Sequence, residues 1–206
     1  MLNHKAKVLY HSSILIGEDI FIDPYKIDCK YKARYIFITH AHYDHFSTCD
    51  IDKIVQDNTI FIAPKDVANE LEKSYENRVI SVMPYQSFEL DNLQIESFPA
   101  YNVNKNFHKK VYNWLGYKIT YQNITYAVLG DCDITEDNKN ILCDCLLIPI
   151  GGTFTMDGKE GANLTNIIKP KLVIPTHYNA IVGTKQNEKD FIDNLDKNIE
   201  YEIHIK

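Results

Sequence analysis

No run in this chain approaches the roughly 18 apolar residues of a membrane-spanning helix, and the opening MLNHKAKVLYHSS lacks the apolar core of a secretory signal. The expectation is a soluble, cytoplasmic protein with no membrane partner. Cationic excess is also missing, because 22 Lys and Arg stand against 28 Asp and Glu, for a net charge of −6. Without a positive field to hold a polyanion, nucleic acid is not expected as a partner. Cysteine is sparse: Cys29, Cys49, Cys132, Cys143 and Cys145 form an odd set with no regular framework, so reduced thiols are expected instead of disulfide staples. Cys143-x-Cys145 lacks the two-residue gap of a zinc knuckle. On an extended chain Cys132 would point away from both Asp131 and Asp133, so all three read as core filling. No low-complexity segment, linker or short-period repeat interrupts the chain.

What is present is apolar residue in short, evenly spaced runs. At 206 residues with 45% hydrophobic content, residues 1–206 suit one well-buried domain. The pattern predicts strands at 8–10, 13–16, 20–23, 35–39, 59–63, 79–83, 87–90, 93–98, 115–121, 124–129, 145–150, 172–175 and 199–205. Helices are expected near 50–56, 64–75, 135–141, 157–168 and 187–195. Two strand-rich halves with helices between the later strands imply two packed sheets with helices outside them.

One stretch departs from this economy. FITHAHYDHFS places His40, His42, Asp44 and His45 within six residues directly behind a buried strand. Imidazole and carboxylate together suit zinc, iron or manganese, and the lack of nearby cysteine pairs argues against a closed structural zinc site. If the chain stays extended, His40 and His42 point to one side and can hold one ion. Asp44 and His45 break that alternation and can address a second.

THAHYDH resembles the H-x-H-x-D-H signature of the metallo-β-lactamase-fold superfamily. IFIDPY (residues 20–25) is similar to that family's early strand ending in Asp-Pro, LGDCD (129–133) to its Gly-Asp motif, and IPTHY (174–178) to its last motif. The combination of HSS, PAYN and PIGGTFTMD looks closest to the ascorbate-6-phosphate-lactonase-like branch. The resemblance implies an α/β fold, an αββα sandwich of two mixed β-sheets with helices on the outer faces. It also implies two divalent metal ions, zinc first and manganese or iron as alternatives, in a cleft at one edge. Asp131 would bridge the two, and His177 would join Asp44 and His45 on the second.

The resemblance breaks at one place. Family members commonly supply a third histidine to the first site after the strand that here ends SFPAYN, whereas this chain has Asn102 and no histidine until His108. Either Asn102 ligates through its amide oxygen, or His108 folds back, or the first site is weak. A weak first site ranks first, since an amide is a poorer donor than imidazole.

The implied chemistry is hydrolysis by a metal-bound hydroxide of an ester, lactone or phosphodiester bond, with Asp44 or Asp131 orienting the nucleophile. Lys105, His108, Lys109 and Lys110 form a local cationic run among Phe107, Tyr112 and Trp114. This run is either an ordinary solvated loop or a clamp for a small anionic substrate, with Asn102, His108 and Lys109 as contacts. Gly151–Thr155 either offers backbone amides to substrate or is a turn. His11 and Asp23 are candidates to orient the ligating histidines from behind, while His4 and His204 read as surface residues. An RNA nuclease, a mononuclear iron oxygenase and a non-catalytic metal sensor remain alternatives, and an antibiotic-resistance lactamase is not expected without an export signal.

Overall fold

The computed structural model describes residues 2–205. Strands β1 (Ala6–Tyr10), β2 (Ser13–Ile16), β3 (Ile20–Ile22), β4 (Tyr35–Phe37), β5 (Ile60–Ala63) and β6 (Val79–Ser81) form one sheet in sequential order. β1 to β3 are antiparallel, and β3 to β6 run parallel. The second sheet contains β7 (Ser87–Leu90), β8 (Leu93–Pro99), β9 (Leu115–Tyr121), β10 (Ile124–Val128), β11 (Cys145–Pro149), β12 (Leu172–Thr176) and β13 (Glu200–Tyr201), again in sequential order. Its first four strands are antiparallel and its last four parallel, β10 serving both sets. Among the described residues there are four α-helices, α1 (Thr48–Ile54), α2 (Lys65–Leu71), α3 (Gly158–Ile168) and α4 (Lys185–Asn194). The αββα sandwich of two mixed sheets is the architecture expected from the sequence.

Side-chain alternation explains the layering. In β4, Tyr35 and Phe37 enter the core shared by the two sheets, while Ile36 faces the opposite way with Phe21 and Phe61. That second face is capped by Ile51 and Ile54 of α1 and by Val67, Ala68 and Leu71 of α2. Strands covered on both faces read as continuous apolar runs, as β3, β4 and β11 do. On the other flank, Ala162 and Leu164 of α3 and Phe191 of α4 join the core that contains Leu146 and Ile148 of β11.

Three expectations change. Residues 135–141 form turns and no helix: reciprocal Thr135–Asn138 bonds cap a single turn that Lys139 N closes onto Thr135 O at 3.3 Å, and the turn does not propagate. The last strand pairs only at Glu200 and Tyr201. Beside it, His4 and His204 are not free surface residues: both Nε2 atoms donate to Glu202, at 3.1 and 2.8 Å. Their Nδ1 atoms accept from the amides of Ala6 and Val8, tying the ends of the chain together. All five cysteines are free, with Cys132 and Cys145 buried as expected. Among the described residues no helix is long and apolar enough to cross a membrane.

Candidate metal centre

Every residue of the centre lies at a strand end or in the loop beyond it, where the two sheets meet. Just past β4, Ile38 N donates to Ile62 O while Thr39 O accepts from Leu115 N of the opposite sheet. This double anchoring fixes the start of the histidine loop. The chain then turns, with the amides of His45 and Phe46 both reaching His42 O. Ser47 caps α1 and ends the loop.

The turn delivers two groups of donors. His40, His42 and His108 form the first, with one nitrogen from each lying within 4.8 Å of the others. His42 Nδ1 lies 3.1 Å from both His40 Nε2 and His108 Nε2. One ring nitrogen carries at most one hydrogen, so these two contacts cannot both be good hydrogen bonds. Asp44, His45, His177 and His11 form the second group within the same radius. Asp131 sits between the groups, its carboxylate 3.4 Å from His45, 3.4 Å from His108 and 3.0 Å from His177.

The backbone is bent to achieve this. His11, Asp23 and His177 all have positive φ, at 52°, 48° and 58°, a conformation that stores strain in non-glycine residues and clusters at functional sites. Across the sheet junction His177 N donates to His11 O, and their rings lie 3.9 Å apart. Gly130 precedes Asp131 with φ 62° and turns the chain inward at the end of β10. Gly151 approaches His177 so closely that a Cβ there would sit 2.3 Å from the His177 carbonyl oxygen.

Behind the donors lies a set of hydrogen bonds that fixes each ring. Asp23 accepts from Thr39 N, Thr39 Oγ1 and His45 Nδ1, at 2.8, 2.7 and 2.8 Å. Because the Thr39 hydroxyl proton goes to Asp23, the same oxygen accepts from His40 Nδ1 at 2.9 Å. One carboxylate therefore turns the Nε2 atoms of His40 and His45 towards the centre, one in each group. His11 Nε2 meets Asp44 Oδ2 at 3.1 Å. Trp114 packs on His40 and His42, with ring centroids 4.9 Å from each, and is anchored through Nε1 to Asp66. Asp23→Ala should lower divalent-metal affinity by about 10- to 100-fold. Metal titration of the variant, alongside Asp23→Asn, which keeps an acceptor, checks this.

The charge state follows from burial. Desolvation drives His40 well below the usual histidine range and His108 and His11 to about 4; it also lowers His42. These rings are neutral at physiological pH and carry free lone pairs. Burial would lower His45 as well, but Asp131 and Asp23 outweigh it and raise it to about 9; a cation loading there displaces that proton. Burial opposes ionisation of Asp44 and Asp131, yet the His11 bond and the His45 charge hold Asp44 at about 2. The charges of His177 and His45 similarly hold Asp131 well below the carboxylate range.

His45 Nε2, His177 Nε2 and Asp131 Oδ1 are buried without a hydrogen-bond partner. Orphaned buried polar atoms are costly, and nitrogen and carboxylate donors converging in this way suit a divalent cation. The donor set therefore fits the metal that the motif implies.

The open question at the first group is answered by its loop. Asn102 Oδ1 accepts from His108 N at 3.1 Å and from His108 Nδ1 at 2.9 Å, while Asn102 Nδ2 donates to Phe154 O. Both ends of the amide are engaged, so Asn102 is placed as the partner that orients His108, and His108 folds back beside His40 and His42. The first group thus brings together three imidazoles, one more than the motif residues alone supply. Neither Asn102 nor His108 is free to contact substrate in the way the sequence suggested. Lys105 is bound to Asp133 and Thr155 O, and Lys110 to Asp137; Lys109 is exposed with no ion pair among the described residues. In the glycine loop, Gly151 N donates to Thr155 Oγ1 and Gly152 N to Met156 O, which makes it a turn. Sequence reasoning could not grade His11 or Asp23; the clue available was their place at strand ends that the motif residues share.

Residues 7–177 match the model of a beta-lactamase superfamily domain. A UPF0173 metal-dependent hydrolase of Thermococcus kodakarensis is 30% identical over 202 residues, covering 91% of this chain and 90% of that protein. A crystal structure from Parabacteroides distasonis superposes with a TM-score of 0.83 at 22% identity, covering 98% and 93% of the two chains. Igni18, a metallo hydrolase from Ignicoccus hospitalis, does so with a TM-score of 0.77 at 20% identity, covering 96% and 93%. With the αββα sandwich and the histidine–aspartate groups at its sheet junction, these matches establish that the chain belongs to the metallo-β-lactamase-fold branch of the beta-lactamase superfamily.

Proposed function

We propose that this protein is a metal-dependent hydrolase of small anionic esters, lactones or phosphodiesters. The observation that carries this reading is the convergence of His40, His42 and His108 on one side of Asp131 and of Asp44, His45 and His177 on the other, with buried donor atoms left unpaired. These seven residues would hold two divalent ions, zinc first given the donor set, with manganese or iron also accommodated. A bound pair would acidify a water molecule and polarise the scissile bond.

The chain's own groups do the rest. The ionised carboxylates of Asp44 and Asp131 accept hydrogen bonds from the attacking water and orient it. Asp23, Thr39 and Asn102 keep the imidazoles from rotating. Trp114 shields the first group from solvent. Lys109, next to His108 and unpaired among the described residues, supplies positive charge at the rim. No serine or cysteine nucleophile is needed, and the only cysteine adjacent in sequence to the centre, Cys132, is buried with its thiol pushed far up by desolvation.

Elemental analysis of protein purified without added metal or chelator is expected to give about two divalent ions per chain. Removal by chelation should abolish hydrolysis of 4-nitrophenyl esters, and zinc or manganese should restore it. A chain that binds no metal even after reconstitution, or one whose hydrolysis survives complete chelation, would refute the proposal.

A further inference from the structure

Three of the segments that feed the metal centre each also carry a tyrosine, exposed at Tyr43 and half-buried at Tyr10 and Tyr25. Tyr10 precedes His11, Tyr43 lies between His42 and Asp44, and Tyr25 follows Asp23 by two residues. The three rings form a chain, with Tyr10 and Tyr25 centroids 6.0 Å apart and Tyr25 and Tyr43 also 6.0 Å apart. Tyr43 is 65% exposed, although both of its sequence neighbours are donors of the centre. A single exposed ring is ordinary, but a contiguous run of rings rimmed by charge marks a binding surface.

A cation completes the arrangement. Lys26 Nζ lies 4.8 Å from the Tyr10 centroid and 5.5 Å from the Tyr25 centroid, and donates to Tyr10 Oη at 3.2 Å. Its backbone is held at φ 51°. In an acidic protein, Lys53, Lys105 and Lys110 are each paired with an aspartate. Lys26 is exposed and has no ion pair among the described residues. Two tyrosine faces position the ammonium group, but they leave its charge available.

The geometry points to a substrate-recognition shelf at the mouth of the metal centre, in which Tyr43 and Tyr25 receive a flat apolar group and Lys26 receives an oxyanion, carboxylate or phosphate, on the same molecule. This rests on the hydrolase reading and narrows it: the substrate carries an anionic group joined to a planar apolar one, apart from the bond that is cleaved.

The test is calorimetric binding of benzoate, phenyl phosphate, acetate and neutral benzyl alcohol to the zinc-loaded chain, for the natural protein and for Lys26→Gln, Lys26→Glu and Tyr43→Ala. Anions that reach the metals do so in every variant, so the ratio between variants isolates the shelf. Lys26→Glu is expected to weaken one aryl anion about tenfold and Lys26→Gln less, with benzyl alcohol unchanged. Whichever of benzoate and phenyl phosphate responds more identifies the anion. Tyr43→Ala should weaken benzoate but not acetate. Equal affinity of the natural protein and Lys26→Glu for both aryl anions overturns the shelf. If the natural protein cleaves neither 4-nitrophenyl acetate nor mono-4-nitrophenyl succinate, yet Lys26→Glu still loses anion binding, the hydrolase reading fails and the shelf stands.

Discussion

Alanine in place of Asp131 is expected to lower kcat/KM by about a thousandfold or more and to strip divalent metal from both donor groups, because this carboxylate is the one element common to them. Its oxygens lie within 3.4 Å of His45 and His108 and 3.0 Å from His177. Remove it, and the buried imidazoles face one another across a gap with only Asp44 left to neutralise an incoming charge. A carboxylate between them offsets the mutual repulsion of two divalent cations a few ångströms apart. The metal-free fold should survive, since Asp131 is buried at the sheet junction and its removal lifts a desolvation cost as well as an attraction. Circular dichroism of the chelated variant checks that point. Asp131→Asn keeps the shape and loses the charge, so it should retain metal poorly and fall between the two. Activity within about tenfold of the natural protein, with two ions still bound, would remove Asp131 from the centre.

How much of this was legible beforehand depends on the distance over which each residue finds its partners. His40, His42, Asp44 and His45 announce themselves because they share a turn of six residues, and period-two geometry is enough to set the first two side by side. Strand positions were legible for the same local reason: β3, β4 and β11 are apolar on both faces, and their runs stand out. Asp23 was not gradable, because its role exists only when β3 and β4 lie parallel and bring Thr39 and His45 to it. The His4–Glu202–His204 clasp joins residues 198 positions apart, and nothing local marks it. The segment at 135–141 has the length and punctuation of a helix, and Thr135 and Asn138 do cap one turn, but only Lys139 N closes onto Thr135 O and no second turn follows.

His108 is the most instructive case, and it carries the second large prediction. The sequence shows no histidine in the loop after β8 where the motif places one, which predicts a weak first site. In the structure, Asn102 N donates to His108 O at 2.7 Å while Asn102 Oδ1 accepts from His108 N, so one asparagine pins the neck of the loop from both sides and brings the ring to His42. His108→Ala removes one of three imidazoles, and it should cost the first group its ion and reduce turnover by two to three orders of magnitude, with metal content falling towards about one per chain. Asn102→Ala leaves the imidazole present but frees it to rotate and loosens the loop, so it should weaken affinity by about 10- to 100-fold, a loss that excess metal reverses. The order of the two effects is what discriminates. If Asn102 were itself the ligand, its alanine variant would lose metal that excess could not restore, and His108→Ala would leave occupancy intact. If His108→Ala is the variant that cannot be refilled, the missing histidine of the first group has been found six residues downstream of where the motif would place it.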